Sequence, residues 1–325
     1  MLEEMQCQAI PSNRIKFFPI MMFAVVMGLS GLSIVFQKYT EIFDLFSGLS
    51  IGFAYLDLVV FILILFLYIS KIYLHFDEVK KEFAHPVRIN FFAASSISFL
   101  LVSIVFHPIH ANFSHILMYI GIAMQTFFTF YTITFWINKN LEIAHSNPAW
   151  FIPIVGNVLV PVAAGGYLDN NFLMYYFSIG IFFWIVLTAV LVNRIIFHHQ
   201  LAQKFLPTLF IFIAPPALSF IAYIKMYGTF DIFASFLYNL GLFFTFLLFF
   251  MYRSFIKLEF FISWWAFTFP LAAITIASIL AYKMSHVNLY IYFGCIFMMI
   301  TIGVVSIVAY RTVQHILKKE ICIIE

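Results

Sequence analysis

Residues 150–166 read WFIPIVGNVLVPVAAGG, an uncharged stretch holding two prolines, Pro153 and Pro161, with Asn157 between them and a run of small residues after. A proline inside a helix removes one backbone hydrogen bond and forces a bend. In lipid the freed carbonyl must find another partner, so a bent apolar segment belongs inside protein or beside a water-filled cavity. This stretch therefore reads as an inner helix of a membrane-embedded bundle.

The rest of the chain agrees. Of its 325 residues 64% are hydrophobic and 10% charged, and the mean hydropathy is +1.03. A soluble protein carries about a quarter charged residues. A helix needs about 20 apolar residues to cross a bilayer, and ten stretches qualify: 17–36, 45–74, 88–106, 113–137, 150–168, 172–196, 207–226, 230–252, 261–282 and 288–315. The links are short, so neighbouring spans run antiparallel. The expected organisation is a short cytoplasmic segment 1–16, one all-α transmembrane domain 17–315 and a short cytoplasmic tail 316–325.

The odd-numbered spans share a signature. They hold Pro19, Pro86, Pro153, Pro161, Pro207, Pro215, Pro216 and Pro270, while the even spans hold no proline. A two-helix unit thus repeats about every 54–71 residues. The pattern predicts five bent inner helices, with Pro19, Pro161, Pro215, Pro216 and Pro270 at the bends, and five straight outer ones. Ala163, Ala164 and Gly165, Ala217 and Ser219, and Ala272 and Ala273 follow the prolines and permit close helix approach or open space along an axis.

Lysine and arginine orient the bundle. Of the 17, only Lys38, Lys225 and Lys283 fall on one face; all five arginines lie on the other. Both termini are expected to be cytoplasmic, in a bacterial inner membrane. No small-residue cleavage site follows the first apolar run, so no cleaved signal peptide is expected. The net charge of +3 is dispersed over the links and forms no nucleic-acid patch. Cys7, Cys295 and Cys322 lack any disulfide or zinc spacing.

No catalytic motif is present. The ten histidines sit at span ends or in links, and HPIHANFSH (107–115) holds three of them without a carboxylate; a solvated interfacial loop is expected rather than a metal site. Nothing calls for a cofactor. Asp57 is the one acid within an apolar stretch, and a hydrogen-bonded structural role or a subunit contact is expected ahead of ion coordination. No cation falls at mid-membrane depth. The inner spans offer hydroxyls and amides, namely Asn90, Ser95, Ser96, Asn157, Thr268, Thr275 and Ser278, with Asn90, Ser95, Asn157, Thr268 and Thr275 the candidates to line a pore. Such a lining holds ions weakly and favours larger monovalent anions that shed water cheaply. The link HFDEVKKEFAH (75–85) reads as a solvated amphipathic segment; a lipid-modifying enzyme built on it is a remote alternative.

Three stretches resemble a known family. HPVRINFF (85–92), NPAWFIPIVGNVLVP (147–161) and WWAFTFPLA (264–272) are similar to the tellurite-resistance/dicarboxylate transporter family, which includes bacterial TehA proteins and plant slow-type anion channels; the resemblance spans about 17–315. It implies a homotrimer of ten-helix protomers, each with five hairpins in quasi-fivefold symmetry around a central pore. It also implies a phenylalanine from the ninth helix that plugs the pore, here Phe269. Bacterial members can differ at the next residue; Pro270 follows the plant-type motif. The expected function is an anion channel or channel-like exporter for chloride or nitrate. The alternatives are a proton-coupled carrier for a dicarboxylate such as malate, with Asp57 or an interfacial histidine as proton site, or a tellurite-resistance transporter.

Overall fold

The computed structural model describes residues 14–198 and 200–322; Cys7 and most of segment 1–16 lie outside them. We label its main helical segments α1 (Ile20–Phe43), α2 (Ser47–Leu74), α3 (Arg88–Phe106), α4 (Ala111–Asn138), α5 (Pro148–Ala164), α6 (Asn170–Phe197), α7 (Gln203–Tyr227), α8 (Ile232–Phe250), α9 (Ile262–Ser285) and α10 (Asn288–Leu317). Among the described residues, nine of these are long and apolar enough to cross a bilayer; α5 is shorter. The protein is an all-helical integral membrane protein.

Burial divides the segments into two classes. The apolar cores of α1, α3, α7 and α9 are 78–94% buried, those of α2, α4, α6, α8 and α10 only 28–39%. Almost every side chain of α5 is buried. Each odd segment packs on the even one that follows it. The odd segments also pack on each other in order, and α9 returns to α1, closing a ring. A surface-exposed apolar stripe such as Val59, Phe66 and Ile69 on α2 has no place in water and marks the lipid side.

The inner segments are not simply kinked. Each contains 3₁₀ helix towards its N-terminal, basic end: Ile20–Met22, Arg88–Phe91, Pro148–Trp150 with Gly156–Val158, Gln203–Ile213 and Ile262–Phe267. The outer helices are α-helical throughout. The prolines explain the placement. Pro153, Pro161, Pro216 and Pro270 are each the third residue of an α-stretch, Pro215 is a second residue, and Pro19 caps the 3₁₀ turn at Ile20. The first turn of an α-helix has N–H groups without an intrahelical acceptor, so proline loses nothing there. The expected bends are thus changes of helix type, and a 3₁₀ turn rises about 2.0 Å per residue against 1.5 Å in an α-helix.

In α5 the interruption falls mid-segment, and its backbone is satisfied from outside. The Pro153 carbonyl accepts from Gln125 Nε2 at 2.8 Å and Thr129 Oγ1 at 2.9 Å, both on α4. Gln125 Oε1 in turn accepts from Ser96 Oγ on α3 at 2.6 Å. One fully buried amide thereby ties three segments together.

At the basic end, the short helix Phe76–Phe83 follows α2. It is not wholly solvated as the sequence suggested. Glu82 is buried and accepts from Lys71 Nζ at 2.7 Å and Tyr68 OH at 3.1 Å, while Lys71 also donates to the Phe18 carbonyl at 2.8 Å. A charge can be buried only with its partner. That partner lies across a helix reversal that no periodicity reveals.

Candidate functional site: an apolar cavity at the axis of the inner ring

The inner segments enclose a cavity of about 60 Å³, measured as space open to the centre of a water molecule. All five contribute to it, through residues such as Met27, Ile97, Gly156, Leu218 and Phe269; no outer helix contributes any. A water needs about 10–15 Å³ on this measure and two to four polar partners. Space for several waters exists, but the lining offers them few partners. The hydroxyls of Thr208 and Ser263 donate to the carbonyls of Phe205 and Lys204, each at 2.5 Å, which leaves them only as acceptors. A chamber of this kind dewets and resists hydrated ions.

Phe269 is the second residue of the α-helical part of α9 and is 7% exposed. Its backbone is fixed on two sides. Trp265, one turn earlier, donates its indole N–H to Thr312 Oγ1 on α10 at 2.9 Å, and Thr268 Oγ1 donates back to the Trp265 carbonyl at 2.7 Å. On the other side Gly28 and Gly31 of α1 press against Trp265, Thr268, Phe269 and Ala272 so closely that a β-carbon at either position would overlap a neighbour. The two glycines are what permits the α1–α9 crossing at this depth.

Towards the basic end the cavity adjoins a chamber of about 320 Å³ that shares Met21, Phe91, Ile262 and Ser263 with it and is lined also by His85, Arg88 and Lys204. A second chamber of similar size adjoins it through Met21, His85 and Arg88, and adds Lys16, Lys81 and Glu78. Lys81 Nζ donates to Glu78 at 2.9 Å, and with Lys16 at 3.6 Å it holds that carboxyl below its usual range, so Glu78 stays ionised. Cations outnumber acids along this approach, which raises the local concentration of anions.

None of the five polar candidates is among the residues that line the axial cavity. Asn157 donates to Thr129 Oγ1 on α4 at 2.9 Å and to the Ile154 carbonyl; Thr275 lies 3.2 Å from Thr301 Oγ1 on α10. These two side chains face outer helices. Ser95 and Thr268 donate to backbone carbonyls one turn back, and Asn90 donates to those of Pro86 and Val87. Polar side chains on the inner segments are used chiefly to hold irregular backbone. Gln125 belongs to this class and escaped the sequence reading; its signal was a lone amide in the apolar run of an even span.

At the other end of the bundle His107 and His115 stack with ring centroids 6.0 Å apart, and Tyr167 lies edge-on to both, hydrogen-bonded to His107 Nε2. Burial, and then the nearby Lys225 and His115, push the His107 imidazole below its ordinary value. Lys38 pairs with Glu41 at 2.6 Å. Among the described residues no three His, Cys, Asp or Glu side chains gather as metal ligands.

Asp57 is fully buried on α2. Its Oδ2 accepts from Ser30 Oγ of α1 at 2.6 Å. The expected hydrogen bond is present, and it reaches the same α1 segment that carries Gly28 and Gly31.

The fold is thus a bundle with an inner ring of irregular segments around an apolar axial cavity. The profile of the voltage-dependent anion channel family matches residues 17–313, so the chain belongs to that family. It is 27% identical to an uncharacterized transporter of Methanocaldococcus jannaschii, over 94% of this chain and 97% of that one. It is 26% identical to the S-type anion channel SLAH2 of Arabidopsis thaliana, over 81% of this chain and 52% of the plant protein. A tellurite resistance protein TehA homolog of Haemophilus influenzae is also 26% identical, over 80% of this chain and 81% of that one.

Proposed function

We propose that the chain is an anion channel, or a channel-like exporter, that passes monovalent anions such as chloride and nitrate down their gradient along the axis of the inner ring, with Phe269 as the gate. One observation carries this reading: an apolar cavity to which every inner segment and no outer helix contributes, with Phe269 in its wall and a basic chamber beside it. A large apolar ring in so narrow an apolar space stops ions by sterics and dewetting. The chambers offer cations without a closed cage of donors, which suits rapid release. In this reading α5 counts as the tenth transmembrane segment, the five hairpins repeat with quasi-fivefold symmetry, the basic end and both termini are cytoplasmic, and three protomers associate through the apolar outer helices.

The second reading, a proton-coupled carrier for a dicarboxylate or a tellurite-resistance transporter, draws on the buried acid Asp57 and on the name of the Haemophilus relative. Reversal potentials of purified protein in planar bilayers separate the two. Under asymmetric salt, a channel reverses near the anion equilibrium potential and ignores an imposed pH gradient. A carrier moves malate uphill when a pH gradient is imposed, and that result would replace the channel reading.

A further inference from the structure

We propose that Asp57 is a buried proton site that, through Ser30, sets how firmly α1 is seated against the gate-bearing part of α9; the functional half of this inference rests on Phe269 being the gate. Asp57 lies ten residues into the 28-residue α2, about 15 Å along its axis, inside the apolar span rather than at its end. Its side chain is 0% exposed. Oδ2 accepts from Ser30 Oγ, while Oδ1 has no hydrogen-bond partner, and neither has the buried Ser33 Oγ, one turn further along α1.

Among the described residues, no charge stands close enough to hold an ionised carboxylate. On α1 the nearest charged groups are Lys38 and Glu41, paired with each other; Lys38 is eight residues beyond Ser30, about 12 Å along the helix. On α2 itself the nearest cation is Lys71, fourteen residues on, about 21 Å away along the axis, and it is committed to Glu82. On α3 the charged or titratable residues are Arg88 and His107 at its two ends, and the contact with α2 beside Asp57 is the apolar pair Phe61–Phe99, with centroids 4.9 Å apart. An unpaired carboxylate with a single hydroxyl donor in this surrounding is strongly disfavoured. The neutral acid is not: a proton on Oδ1 leaves Oδ2 to accept from Ser30, the contact observed.

Helical geometry supplies the coupling. At 3.6 residues per turn, Ser30 and Ser33 lie on the face of α1 opposite Gly28 and Gly31. The glycine face is pressed on Trp265, Thr268, Phe269 and Ala272; the serine face is held by Asp57. With the proton in place, α1 is clamped between an outer helix and the gate helix. Loss of the proton leaves a carboxylate that needs further donors, of which Ser33 is the nearest along α1, and recruiting them draws α1 away from α9. Asp57 is thus a positioning residue for Phe269.

Infrared difference spectra of wild type against Asp57→Asn, in an ester-free detergent across pH 5 to 9, test the proton directly. The expected result is a protonated-carboxyl carbonyl band in the wild type at pH 7 that is missing from the variant. Absence of that band throughout the range overturns the proton assignment. Bilayer currents test the coupling. Wild-type anion current is expected to rise at least threefold from pH 7 to pH 9; Asp57→Asn, which keeps a partner for Ser30 but has no proton to lose, and Asp57→Leu, which cannot draw on α1 at all, are both expected to lack that rise. A band without any of these current changes, in a preparation where Phe269→Ala conducts, overturns the coupling and leaves the channel reading intact. A Phe269→Ala protein that does not conduct refutes the channel reading and with it the coupling, while the infrared result still decides the proton.

Discussion

A β-carbon added to Gly31 would stand 3.4 Å from the Phe269 ring and 2.8 Å from the β-carbon of Ala272. The proposed gate therefore leans on a helix that has no side chain at the point of contact, and its position is set by how closely that helix approaches. Gly31→Ala overpacks the crossing, which costs about 1–3 kcal/mol in a well-packed interior, and moves the segment bearing Phe269. We predict a lower thermal midpoint in detergent together with a raised anion current. Gly48→Ala, where a β-carbon meets nothing within 4 Å, serves as the control and leaves both unchanged.

Lys71 and Glu82 form an ion pair whose side chains are 2% and 6% exposed. Removing one partner strands a buried charge at a cost of about 3–5 kcal/mol. Lys71→Met is thus expected to lower stability sharply in thermal or denaturant unfolding. The double variant Lys71→Met, Glu82→Met is expected to recover most of the loss, because no charge remains uncompensated. An additive double variant would show that the pair is not what holds Phe76–Phe83 against α2.

Little of that pair could be read from the sequence, and the reason is general. The hairpin repeat was legible because proline and charge are local signals: odd spans carry prolines, even spans do not, and the cations mark one face. Helical segments accordingly appear at all ten expected places, nine of them long enough to span a bilayer; α1 runs on to Phe43, past its expected end at 36, and α5 stops at Ala164, short of 168. Its two prolines and the 3₁₀ turn between them shorten the regular part. Lys71 and Glu82, or Gln125 and the Pro153 carbonyl, meet only after two helices are folded against each other. The polar residues of the inner spans were visible as such, but not their direction. Asn157 and Thr275 turn towards outer helices because irregular or adjacent backbone offers partners there, while the axis stays apolar.

His107 gives a pH dependence of stability with a definite sign. Its free value is 6.5, and burial, Lys225 and His115 lower it in the folded protein. Below 6.5 the unfolded chain takes up a proton that the folded chain resists, so acid favours unfolding. The stabilisation is complete above 6.5 and is lost as the pH falls through the lower folded value. A series of thermal midpoints from pH 7.5 downward is expected to decline, and His107→Gln, which keeps a hydrogen-bonding side chain near Tyr167, is expected to flatten part of that decline. An unchanged slope in the variant contradicts the assignment.

Lys204 lines the chamber that adjoins the axial cavity. Its charge acts on approaching anions over a distance set by salt, about 10 Å at 0.1 M and 3 Å at 1 M. Lys204→Gln is expected to reduce anion current from the basic side by roughly twofold at low ionic strength, with the difference vanishing near 1 M salt. A reduction independent of salt would point to altered packing; its carbonyl, which accepts from Ser263, is untouched by the substitution.

The most direct measurement is the current carried by Phe269→Ala in a voltage-clamped membrane, compared with wild type at equal surface abundance. On this account the Phe269 ring is what separates the basic chamber from the far side. The account predicts an anion current at least tenfold above wild type, reversing near the anion equilibrium potential. A folded, membrane-inserted Phe269→Ala protein whose current stays at background would contradict it, because the obstruction would then lie elsewhere or the axis would not conduct.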